Sequence, residues 1–170
     1  DTLNCLRELD YNTFSNAASS VSGLLSYSSV ALNYLPRPDG KTLTQSPDQL
    51  ALAGKYAHVP VIIGDQEDEG TLFSLLQPNI TTTDDVASYL SDLYFWNAAP
   101  DLIQELVSIY KDNDEYACPY GTGEANIVYP QFKRLAAILG DVVFTLTRRV
   151  VLDIIDVPSW SYLSSYDKGT

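Results

Sequence analysis

Six residues, Val59-Pro60-Val61-Ile62-Ile63-Gly64, constrain the fold of this chain more than any others. They form a short, β-branched apolar run without polar alternation, the pattern of a strand buried on both faces of a parallel sheet. Gly64 ends the run, and Asp65-Gln66-Glu67-Asp68-Glu69-Gly70-Thr71 follows as an acidic loop. Leu72-Phe73-Ser74-Leu75-Leu76 then has the apolar density of a helix turning back over the sheet, which completes a strand-loop-helix unit. A second candidate strand lies near the end, where the aromatic stretch from Ser159 to Tyr166 alternates. The predicted class is therefore α/β, with mostly parallel strands and a large helical insertion spanning 81–155. A chain of 170 residues with 45% hydrophobic content has material for one sizeable core, either a single domain or part of a larger one.

Helix signals fill the rest of the chain. Ser46-Pro47-Asp48-Gln49 offers an N-cap, a proline at the first helical position and an amide three residues after the cap, with Gly54 as the stop. Thr82 or Thr83 can cap the next helix; Asp84 and Asp85 suit the positive end of its dipole, and Val86, Leu90, Leu93 and Tyr94 recur at helical spacing. Another helix is predicted from Pro100 to Tyr110, with Leu102, Ile103, Leu106 and Val107 on one face. A third begins near Pro130, is interrupted at Gly140-Asp141, and resumes from Phe144 to Asp153. Ahead of these, residues Val21 to Pro38 read as extended, ending in the turn-forming Pro36-Arg37-Pro38-Asp39-Gly40.

Charge removes whole classes of partner. A net charge of −12 and a pI near 4.2 oppose nucleic acid and anionic membranes, which attract Lys- and Arg-rich surfaces. No run approaches the roughly 18 apolar residues of a membrane span. Cys5 and Cys118 have no neighbours at metal-ligand spacing, so no metal site is expected; a disulfide and two free thiols both remain open. Asn79-Ile80-Thr81 is a glycosylation sequon in an expected surface loop, which favours secretion. The chain has no Met and opens on Asp1, and it ends at Lys168-Gly169-Thr170 directly after its last strand. Both features lead us to expect a fragment beginning after a cut, with an unfinished sheet.

Reactive residues of open parallel sheets sit on loops at the carboxyl ends of strands, which makes the Asp65 to Glu69 cluster the first candidate site. Spacing alone also fits carboxylates that merely complement a helix dipole. His58, the one histidine, precedes the strand whereas Glu69 follows it, so about 17 to 20 Å of strand separates them and they are not a pair.

The octet Gly64 to Thr71 resembles the segment that carries the triad acid in the type-B carboxylesterase/lipase family, an α/β-hydrolase family. The likeness continues through Cys5-Leu6-Arg7, Tyr34-Leu35-Pro36-Arg37-Pro38-Asp39-Gly40, Gly54-Lys55-Tyr56-Ala57, Pro130-Gln131-Phe132-Lys133-Arg134 with Gly140-Asp141, and Phe144-Thr145-Leu146-Thr147-Arg148-Arg149. In this order and spacing the segments look like the secreted lipases of yeasts and moulds within that family, and the likeness covers essentially the whole chain.

The resemblance implies a partial α/β-hydrolase fold, one fragment of a catalytic domain spanning residues 1–170, with the acid strand and loop at 59–71 and the last strand at about 159–166. It implies a secreted serine ester hydrolase, a triacylglycerol lipase or carboxylesterase, needing no metal and no organic cofactor. Glu69 falls on the triad acid, which would accept Nδ1–H of a catalytic histidine and stabilise the imidazolium. Chain order in the family is Ser, Glu, His; the chain contains no Gly-x-Ser-x-Gly elbow, and the family histidine would fall past Thr170. Alone, the chain is therefore expected to be inactive and to need the remainder of its parent. Leu72 and Phe73 would line an apolar pocket for the lipid or ester substrate, although helix-sheet packing explains them as well. Cys5 would bond to a cysteine outside this chain. The same architecture also admits a non-catalytic, neuroligin-like binding protein, which retention of Asp68-Glu69-Gly70 disfavours.

Overall fold

The computed structural model describes residues 2–112 and 114–166. Asp1, Asn113 and 167–170, where the chain ending was read, lie outside the described residues.

Two helices that the sequence reading did not anticipate open the chain: α1 (Thr2–Glu8) and α2 (Tyr11–Ser19). The start of α2 has a local cause, because the Asp10 carboxylate accepts the Thr13 N–H at 3.1 Å and the Thr13 hydroxyl at 2.5 Å. The residues after Ser19 form no strand as far as α3 (Pro47–Leu52): turns and bends occupy much of 20–34, and 35–39 is irregular. Pro47 stands at the first position of α3, and Gly54 at φ +69° lies just beyond it, a left-handed conformation that only glycine adopts readily.

Strand β1 (Val61–Gln66) pairs in parallel with β2 (Ser159–Ser164), in the register Val61 opposite Ser159 through Gln66 opposite Ser164. The strands are parallel, as predicted, and lie side by side, with β1 shifted two residues later than the apolar run, so that it includes Asp65 and Gln66. The pairing begins with Val61 N–H donating to the Pro158 carbonyl at 3.1 Å and ends with Glu67 N–H donating to Ser164 at 3.0 Å. Burial corrects the reading of β1 as covered on both faces. Helix α8 (Leu146–Ile154) lies against one face, where Arg148 reaches Asp65 and Ser161. On the other face Ile62 is 74% exposed and Trp160 58% exposed. A two-stranded sheet has too little area to enclose an apolar run from both sides. Gly64 has a packing role, since a side chain there would meet the Tyr162 ring at 2.5 Å.

The core lies beside the sheet, among helices. After β1 come α4 (Glu69–Phe73), α5 (Thr83–Leu93) and α6 (Pro100–Ile109). Thr82 caps α5 in a reciprocal box: its hydroxyl accepts Asp85 N–H while the Asp85 carboxylate accepts Thr82 N–H. Helix α7 (Phe132–Leu139) is buried along its entire length. Its Phe132, Leu135, Ile138 and Leu139 join Ile80, Val86, Leu90, Ile103 and Val107 in one cluster, each large side chain adding about 1.5–3 kcal/mol by burial, while Ala136 and Ala137 pack with Cys118. Even Lys133 and Arg134 are enclosed, as buried charge requires, with their donors engaged. Arg134 donates to the Tyr110 carbonyl at 2.7 Å, the Val107 carbonyl at 2.8 Å and the Thr83 hydroxyl at 2.8 Å, which ties the end of α6 to the start of α5.

The expected break at Gly140-Asp141 is instead a π-helical segment, Gly140–Thr145, that carries α7 into α8 without interruption. A widened turn lets the long helix re-aim its face, from the helical core at α7 to the sheet at α8.

Candidate active site

The site grows from the point where β1 hands over to α4. Glu69 is the first residue of α4, not part of a loop as the sequence suggested, and stands beyond the carboxyl end of β1. Its carboxylate folds back on the turn: Oε1 accepts the Gln66 N–H at 2.8 Å. Among the described residues Oε2 has no hydrogen-bond partner, so one oxygen holds the side chain and the other is left to receive a donor. The side chain is half-buried, and a negative charge in the first helical turn matches the local backbone dipole.

Gly70 explains why this turn can sit so deep. A Cβ at position 70 would lie 1.8 Å from the Ala136 carbonyl oxygen and 2.6 Å from the Gly140 nitrogen, so only glycine lets α4 dock against the α7 end. Gly140 answers from the other side, where a Cβ would meet the Gly70 nitrogen at 3.1 Å. The Glu-Gly pair is therefore a carboxylate and the contact that seats it.

The neighbouring carboxylates face in different directions. Glu67 is exposed. Asp65 is 6% exposed. Because Asp65 continues β1, strand alternation turns it toward α8, where Arg148 Nε lies 3.0 Å from Oδ1. The contact is an ion pair without good hydrogen-bond geometry, since neither Asp65 oxygen makes a hydrogen bond. Asp68 faces a third way, toward the segment Cys118–Tyr120.

Two hollows flank the turn. One, lined by Glu69, Gly70, Cys118, Tyr120 and Gly140 among others, is a narrow cleft between α4 and α7. The other opens at the carboxyl ends of both strands, between Glu67, Asp68, Tyr120 and residues Ser164 to Tyr166. Tyr120 is the shared wall. Its hydroxyl is pushed up to about 12, first by burial and then by the charges around Cys118, Asp141, Asp68 and Glu67. Sequence reasoning did not single it out, because its role depends on Asp68, 52 positions away in the chain.

The other candidates fall at distinct places. Leu72 is exposed, while Phe73 stacks on Phe144 with ring centroids 5.5 Å apart, at the edge of the core. Asn79 is exposed, and its side-chain nitrogen donates to the Tyr27 hydroxyl at 3.2 Å. His58 is exposed at the amino end of β1 beside Tyr56, on the side away from Glu69. Cys5 is exposed, Cys118 is buried, and the two are not bonded to each other. Among the described residues no group of three His, Cys, Asp or Glu side chains is arranged to hold a metal ion. No helix among them is long and apolar enough to cross a membrane.

A parallel strand pair with a seated carboxylate at its carboxyl end defines an α/β unit whose carboxylate stands where open parallel sheets place their ligand sites. The chain belongs to the lipase/carboxylesterase family. It is 57% identical, over its whole length, to the secreted triacylglycerol lipase LIP1 of Gibberella zeae and equally to secreted lipase 1 of Botryotinia fuckeliana. Lipase 2 of Diutina rugosa is 46% identical over 90% of the chain. The chain spans 30% of the length of the first two relatives. No family profile matches the chain.

Proposed function

We propose that this chain supplies the acid of a Ser-His-Glu triad to a secreted ester hydrolase of the α/β-hydrolase fold, acting on lipid esters. The carrying observation is Glu69: a carboxylate seated at the carboxyl end of β1, with Oε1 held by Gln66 N–H at 2.8 Å and Oε2 left open. The 57% identity to one protein named a secreted triacylglycerol lipase and to another named a secreted lipase supports the substrate class and the extracellular setting.

In this reading Glu69 accepts the Nδ1–H of a histidine that follows β2 in the complete protein. The carboxylate fixes the imidazole tautomer and stabilises the imidazolium formed when that histidine takes the proton of the nucleophilic serine. The pairing of β1 with β2 matters because it brings the two chain positions that lead to acid and base side by side. Further strands of the complete protein would cover the open face that carries Ile62 and Trp160. Leu72, exposed beside the acid turn, would contact the acyl chain with Phe73 behind it, Asn79 would carry a glycan, and Cys5 would bond to a cysteine outside this chain.

The test is to follow hydrolysis of a chromogenic fatty ester by the complete protein and by residues 1–170 alone. Turnover by the complete protein and none by the shorter chain is the expected result. An inert complete protein would favour a binding role, and turnover by the short chain that is lost in Glu69→Gln would require a full active site within it.

A further inference from the structure

Asp68 occupies the N-cap position of α4 yet makes no capping bond to it. Its carboxylate turns instead to another part of the chain, where Oδ1 accepts the Tyr120 N–H at 2.9 Å and the Cys118 thiol at 3.1 Å. The thiol is the donor in the second contact. The Thr71 hydroxyl, 2.9 Å from Cys118 Sγ, then donates to the sulfur. Thr71, Cys118 and Asp68 thus form a hydrogen-bonded chain whose two ends, residues 68 and 71, bracket Glu69 and Gly70. Burial pushes the Cys118 thiol up to about 12, which keeps the proton that this chain needs.

The segment that grips the turn is itself anchored. Lys133, on buried α7, donates to the Thr122 hydroxyl at 2.7 Å and to the Gly123 carbonyl. The far end of the same helix is what Gly70 packs against. The turn, the 118–123 segment and α7 therefore close a loop of contacts around the acid.

We propose that Asp68 and Cys118 are positioning residues that fix the Glu69 carboxylate, a role that rests on the reading of Glu69 as the triad acid. Neither touches substrate; each acts by denying the acid turn other orientations. Misplacing a catalytic group by about 1 Å costs up to roughly 10²-fold in rate, so loosening this clamp should register in kcat while leaving ester binding alone.

The experiment uses the complete ester hydrolase, a soluble short-chain ester, and rates normalised to folded protein by near-ultraviolet circular dichroism. Asp68→Ala and Cys118→Ala should lower kcat by roughly 10- to 100-fold with KM unchanged. Asp68→Asn keeps an acceptor and Cys118→Ser keeps a donor, so both should stay close to the parent. If the alanine variants do not fold, Asp68→Glu, which keeps the charge but displaces it by one methylene, should give the same loss. Alkylation gives an independent readout, since Asp68→Ala should speed iodoacetamide labelling of Cys118 at least about tenfold. Full kcat in Asp68→Ala alongside a collapsed Glu69→Gln would overturn the positioning role alone. Full kcat in Glu69→Gln would overturn the triad reading, and the positioning role with it.

Discussion

Replacing Gly70 with alanine pits two effects of opposite sign against each other. In an ordinary helix the change gains up to about 1 kcal/mol, because alanine is the better helix former. Here the added carbon would sit 1.8 Å from the Ala136 carbonyl oxygen, 2.6 Å from the Gly140 nitrogen and 2.8 Å from the Ala136 carbonyl carbon. All three are backbone atoms of a buried helix and cannot rotate away. Ordinary contact begins near ~3.5 Å, so α4 and α7 would have to part by more than about 1.5 Å, a gap that forfeits at least half of the dispersion energy across the seam. Overpacking of this kind costs about 3 kcal/mol or more, which exceeds the propensity gain and leaves a net loss of about 2 kcal/mol. Urea unfolding followed by circular dichroism should show the midpoint of Gly70→Ala falling with the slope unchanged. Gly23→Ala, where nothing lies within 4 Å of the added carbon, serves as the control and should be neutral or slightly stabilising. A Gly70→Ala midpoint at or above that of the parent would refute the close-packed seam.

Two further outcomes follow from the charges. Arg148→Met leaves Asp65 buried without its cation and should cost about 3–5 kcal/mol in urea unfolding, whereas Asp65→Leu with Arg148→Met should recover most of the loss; an equal loss in both would show that the pair is not coupled. Backbone N–H and hydroxyl donors hold the carboxyls of Asp85, Asp39 and Asp10 below their ordinary value of 3.8, through Thr81 first, Lys41 first and Thr13 first respectively. Their contribution is fully present above the ordinary carboxylate value and is lost as pH falls through the depressed ones, so unfolding midpoints should drop on acidification below about pH 4. That drop should be smaller in Asp85→Asn, and an unchanged acid slope would contradict the box at Thr82.

The strand-acid-helix unit was legible because each part leaves a local mark: a β-branched run, a carboxylate cluster, and caps such as Thr82 with Asp85. The parallel pairing of β1 with β2 followed from the same patterns together with the family resemblance. What escaped depended on partners distant in the chain. Asp65 reads as one more acid beside Glu67, and only strand alternation against Arg148, 83 positions later, decides that it is buried. Helix α7 carries Lys133 and Arg134, which resemble a solvated face until carbonyls of α6 and the 118–123 segment supply their acceptors. Gly140-Asp141 signals a break, yet a π-helical segment accommodates the pair without ending the helix. Helix α2 was missed although Asp10 and Thr13 stand at capping distance in the sequence, because its apolar face is short and buries no residue.

The central claim, that Glu69 is the acid of a hydrolytic triad, is tested most directly by comparing Glu69→Gln with Glu67→Gln in the complete protein. The two residues lie two positions apart and the two substitutions remove the same charge, but among the described residues only Glu69 of the two has an oxygen fixed by the turn. Loss of a triad acid lowers kcat by roughly 10⁴-fold, since the imidazole loses its tautomer and its counter-charge. The account predicts a fall of that order for Glu69→Gln, with Glu67→Gln close to the parent. Equal effects in the two variants, or retained turnover in Glu69→Gln, would contradict it.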